Sequence, residues 1–102
     1  MSYEKEIEML ELEWEPDSGF FWQVRQGCFD ADEFNRALKK VSAVSIAKDA
    51  DVPFRLVSLL WFIPLFMEWQ VERVGRNGGD KAAYKMAVTK MTDEVMRLLG
   101  VP

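Results

Sequence analysis

The sequence predicts an all-α protein: a compact bundle of five or six helices around a central apolar helix, in one domain spanning residues 1–102. Three observations lead there. Apolar residues recur at helical spacing in several separate stretches. Acidic cap residues and glycines bracket those stretches where helices start and stop. One run, Leu56 to Met67, is apolar on every side, the pattern of a helix enclosed by others. With 49% apolar residues the chain has enough material for a core.

The first stretch, Tyr3 to Trp14, carries two patterns. Tyr3, Ile7, Leu10 and Trp14 fall on one helical stripe, whereas Leu10 to Glu15 alternates apolar and acidic residues as a strand does. The Glu and Leu content favours helix. An α+β arrangement with an N-terminal strand or hairpin is the alternative. Pro16-Asp17-Ser18-Gly19 is turn chemistry. Phe20 to Gln26 then reads as a short helix closed by Gly27 in a left-handed conformation. Asp30-Ala31-Asp32-Glu33 resembles a capping box, and Phe34, Ala37, Leu38, Val41 and Val44 form the inner face of the helix it opens.

Asp51 or Val52 is expected to cap the central helix, with Pro53 in its first turn. Trp61 and Phe62 are assigned to the core, and Pro64 should bend or divide the helix. Met67, Val71 and Val74 continue on one face until Gly75-Arg76-Asn77-Gly78-Gly79. Asp80 caps a last helix whose seam is Tyr84, Val88, Met91, Val95 and Leu98, ended by Gly100 and Pro102.

Composition narrows the chemistry. The chain has no histidine, so the usual general base and the commonest metal ligand are missing. Its one cysteine, Cys28, permits neither an internal disulfide nor a cysteine zinc site, and lacks the histidine that would activate it. Between Gly27 and Phe29 it reads as a small buried apolar residue. No enzyme activity, metal or other cofactor is expected. The acidic N-terminus has no apolar leader pattern, and Leu56–Met67 is shorter than the ~20 residues a membrane span needs. A cytoplasmic location without membrane contact is therefore expected.

The glycine-rich Val74–Lys81 stretch lacks the Gly-Lys-Ser/Thr ending of a phosphate loop. Arg73, Arg76, Lys81, Lys85 and Lys90 give a mild positive bias, but the net charge is −4, so no nucleic-acid partner is expected.

Charge is unevenly spread. Glu4, Glu6, Glu8, Glu11, Glu13, Glu15 and Asp17 crowd the first segment against Lys5 alone. As a helix, Glu4, Glu8, Glu11 and Glu15 would make an acidic stripe, which repels locally and suits a basic protein partner. Asp30, Asp32 and Glu33 form a second acidic group. Four tryptophans are many for this length; Trp14 and Trp22 border charged sequence and suit interface anchors.

The stretch Ser18 to Phe34 has an aromatic pair Phe20-Phe21, then Arg25-Gln26-Gly27, then Phe29-Asp30, and a helix carrying Glu33-Phe34. In this it resembles segments of small bacterial immunity proteins, the cytoplasmic antidotes of polymorphic and contact-dependent growth-inhibition toxins. It covers less than a quarter of the chain and carries over no binding residue. The resemblance implies a toxin inhibitor that occludes a toxin domain, typically a basic nuclease. The expected contacts are Glu4, Glu8, Glu11, Glu13, Glu15 and Asp17 first, then Asp30, Asp32 and Glu33, with Trp14 or Trp22 as anchors. A helical adaptor, homodimeric through the Tyr84–Leu98 seam, is the alternative.

Overall fold

The computed structural model describes residues 3–47 and 49–102. Among them the chain forms six α-helices, one 3₁₀ turn and no strand: α1 (Glu4–Glu11), the 3₁₀ turn Leu12–Trp14, α2 (Phe20–Arg25), α3 (Ala31–Ser42), α4 (Phe54–Trp69), α5 (Val71–Arg76) and α6 (Lys81–Leu99). The all-α expectation holds, and the first segment is helical.

The alternation at Leu10–Glu15 is resolved by the 3₁₀ turn. Three residues per turn put Leu10 and Glu13 on one side, so both point inward while Leu12 is 52% exposed. A carboxylate thus enters the interior where alternation would have placed a leucine.

The expected caps form. Asp30 Oδ1 accepts from the amides of Asp32 (2.8 Å) and Glu33 (3.1 Å), and Asp80 Oδ1 from that of Ala83 (3.0 Å). Gly27, at φ +86°, closes α2: its amide bonds to the Val24 carbonyl, and the Cys28 amide bonds to that of Gln23. This closure turns Cys28 outward, so the expectation of a buried thiol is corrected.

The central helix departs from expectation in three ways. Pro53, rather than Asp51 or Val52, is its N-cap. Pro64 lies inside it without dividing it; the break comes at Gln70, where α5 begins. Nor is it enclosed. Leu56, Leu59, Leu60, Ile63, Phe66 and Met67 are buried on one face, but Trp61 on the other is 50% exposed and Phe62 half-buried. The assignment of Trp61 to the core is therefore wrong. The reason is the amount of chain. The Cα envelope is 19 Å thick, room for two helix layers at 8–10 Å spacing. In two layers each helix is covered on one side.

The core is one contiguous cluster joining all six helices. α4 packs chiefly on α6 and also on α1. Fully buried Tyr84 ties α6 to α4 by donating its hydroxyl to the Met67 carbonyl at 2.8 Å. Burial, helped by the charge of Glu68, pushes this phenol's pKa up. Tyr84, Val88, Met91 and Val95 all face the core, so the α6 seam is not available to a second copy, and that basis for a homodimer is removed.

Candidate protein-interaction surface

The N-terminal acids divide into two groups. Glu13 belongs inside. It is 2% exposed, and its carboxylate accepts from the Phe20 amide (3.0 Å), Arg36 Nη2 (2.6 Å) and Lys40 Nζ. Burial raises its pKa, but the bonds from Arg36, Lys40 and Phe20 outweigh that and hold it below the usual carboxylate range. Glu13 is therefore corrected from a docking residue to a structural one: it pins the 3₁₀ turn to α3 and to the start of α2. Gly19 permits this approach, since a Cβ there would lie 2.3 Å from the Glu13 carbonyl oxygen.

Glu11 is also engaged, accepting from Arg55 Nε (2.9 Å) and Nη2 (2.7 Å) at the surface. Glu33 pairs with Arg36, and Asp30 is spent on its cap. Glu4 and Glu8 are exposed on α1, one turn apart on the face that carries Glu11. Glu15 leaves this stripe, because α1 ends at Glu11 and Glu15 is extended at ψ 138°. Asp17 sits in the turn at φ +69°. Arg36 Nη2 donates to the neighbouring Ser18 carbonyl at 3.4 Å, which draws the turn toward the Glu33 side of α3. Glu8, Glu15, Asp17 and Asp32 are exposed and make no ion pair among the described residues.

Of the two tryptophan candidates, Trp14 is central. Its ring lies 4.7 Å from that of Phe21, 4.8 Å from Phe66 and 5.9 Å from Phe62. The Arg25 guanidinium covers it at 5.7 Å and also lies 5.3 Å from the Phe66 ring. Trp22 is half-buried on α2, outside this ring cluster.

Two features were not anticipated. The first is a cleft of about 680 Å³ between the 3₁₀ turn and α4. Trp14, Trp61 and Phe62 give it aromatic walls, and Glu11, Glu15, Arg25 and Arg55 its charges. The second is the outer face of α4. Phe54 is 85% exposed, Trp61 50%, Leu65 40% and Trp69 62%. They recur at intervals of seven, four and four residues, a single stripe opposite the buried face. Large apolar side chains exposed along one helix face suit an interaction site, and Trp61 belongs to both stripe and cleft. The sequence held a signal for it: α4 is apolar all round, in a chain too short to cover both sides.

A smaller cavity of about 270 Å³ is lined by Gln26, Arg73, Arg76 and Asn77. It lies at the carboxyl ends of α2 and α5, whose dipoles repel anions. Arg73 there donates to the Arg25 carbonyl at 3.0 Å, so it reads as a helix-end partner. Among the described residues no acidic, cysteine or histidine group is arranged to hold a metal. No described helix is long and apolar enough to cross a membrane. Comparison with protein-family models, curated proteins and solved structures finds no match to this chain.

Proposed function

We propose that this protein acts by binding another protein, and that it is an immunity protein neutralising a toxin domain with a basic surface. The observation that carries the binding reading is the bare aromatic stripe Phe54, Trp61, Leu65 and Trp69. Leaving such side chains in water is unfavourable by ~25 cal/mol per Å², and a partner that covers them recovers that free energy. Large aromatic anchors dominate interface energetics. Glu8, Glu15, Asp17 and Asp32, exposed and without ion pairs among the described residues, supply the field that steers a basic partner. The toxin identity of that partner is supported by the resemblance of residues 18–34 and by the basic surface a nuclease needs to hold phosphates.

The mechanism is occlusion. The stripe seats on an apolar patch of the toxin, the exposed carboxylates meet its Lys and Arg, and substrate entry is blocked. The test is capture of a partner from the native cells with the tagged protein, purification of that partner, and assay of its toxic activity with and without inhibitor. Stoichiometric loss of activity, weakened by Trp61→Ala and by Glu15→Lys, supports the reading. Binding without loss of activity sinks the immunity reading and leaves an adaptor. In that case the contact surface is still α4.

A further inference from the structure

The cleft between the 3₁₀ turn and α4 holds four charged residues, yet only two of them are matched. Glu11 and Arg55 close on one another through two hydrogen bonds. Arg25 and Glu15 both line the same cleft and no ion pair joins them. The Arg25 guanidinium lies with its carbon 5.7 Å from the Trp14 ring centroid and 5.3 Å from that of Phe66. Its edges carry five N–H donors, none used in a hydrogen bond among the described residues. An exposed guanidinium resting over two rings with its donors unused is available to a carboxylate. Glu15, on extended chain beside Trp14, is open to a cation.

The same cleft has the aromatic walls of Trp14, Trp61 and Phe62. The cleft lies within the ~300–1,000 Å³ typical of ligand pockets. Its formal charges cancel, so a ligand of one sign is attracted by one of the two unmatched groups and repelled by the other. A ligand that carries both signs gains at both.

We infer that this cleft is the anchor pocket for the partner, taking an apolar side chain flanked by one acidic and one basic residue. The acidic neighbour pairs with Arg25, the basic neighbour with Glu15, and the apolar side chain rests on Trp61 and Phe62. This rests on the binding reading above and specifies which part of the partner enters the cleft. The pocket thus selects by charge order as well as by hydrophobicity, in contrast to the α4 stripe, which is apolar alone.

The experiment uses the intact protein and four capped peptides: Lys-Ala-Phe-Ala-Asp, its reverse Asp-Ala-Phe-Ala-Lys, Lys-Ala-Phe-Ala-Lys and Asp-Ala-Phe-Ala-Asp. Binding is followed by the indole N–H resonances of Trp14 and Trp61, with Trp22, outside the cleft and its ring cluster, as an internal control. One of the mixed peptides is expected to bind at least about fivefold more tightly than either like-charged one, moving Trp14 and Trp61 and not Trp22. Arg25→Gln should abolish that preference and favour the all-basic peptide; Glu15→Gln should abolish it in favour of the all-acidic one. Equal or tighter binding of a like-charged peptide to the unaltered protein overturns the inference, as do shifts confined to Trp22. If the peptides show no charge preference while capture of the protein partner still depends on Trp69, the pocket inference falls and the binding reading stands. If the peptides behave as expected and partner capture depends on Arg25, Glu15 and Trp61 but ignores Phe54 and Trp69, the pocket inference stands and the stripe's part in the binding reading falls.

Discussion

At Glu13 a buried carboxylate collects an amide, a guanidinium and an ammonium. Removing it leaves those donors without their acceptor, a loss larger than that of an exposed ion pair. Glu13→Ala is expected to destabilise the fold by about 3 kcal/mol in a urea titration. The pH dependence follows from the direction of its pKa. The folded value lies below the ordinary ~4.3 of glutamate. The clamp therefore contributes fully above that range and is lost as pH falls through the lower folded value. The stability gap between the protein and Glu13→Gln should be flat near neutrality and shrink below about pH 4. A gap that widens in acid would contradict the assignment. Nothing in the sequence distinguishes Glu13 from its acidic neighbours, since its fate is set by Arg36 and Lys40, 23 and 27 residues away.

At the level of the element, α4 and its surroundings explain what was legible and what was not. Caps at Asp30 and Asp80 and the stop at Gly27 are local chemistry, and each appears where the sequence puts it. Which side of α4 is covered is not local. It depends on how many helices remain to pack on it, and α6 and α1 fill one face only. Pro64 gives a prediction at this scale. Inside a helix it removes an amide donor that would have served the Leu60 carbonyl. Pro64→Ala should restore that bond and raise stability by roughly 1–3 kcal/mol, read as an increase in Tm. Gly19→Ala acts oppositely, because its Cβ meets the Glu13 carbonyl at 2.3 Å; a loss of about 2 kcal/mol or more is expected.

Over the whole molecule, a two-layer bundle buries one face of its most apolar helix and presents the other. The two faces give separable expectations. Met91, fully buried in the α6 seam, cannot accept a charge, and Met91→Lys should abolish cooperative unfolding. Phe54 and Trp69 lie outside the core, so Phe54→Ser and Trp69→Ala should leave stability within about 1 kcal/mol of the original. The candidate site was thus legible in its ingredients, the many tryptophans and the acidic first segment. Its assembly was not, because the fold engages Glu13 in its interior and Glu11 in a surface pair, and turns Trp61 outward.

The most direct measurement is titration calorimetry of the purified partner against the protein and against the double variant Trp61→Ala/Trp69→Ala, with thermal unfolding of both measured alongside. The account predicts that the variant unfolds at nearly the same temperature and binds at least about 100-fold more weakly, as loss of two aromatic anchors implies. Unchanged affinity in the variant, or the absence of any saturable partner, would contradict it.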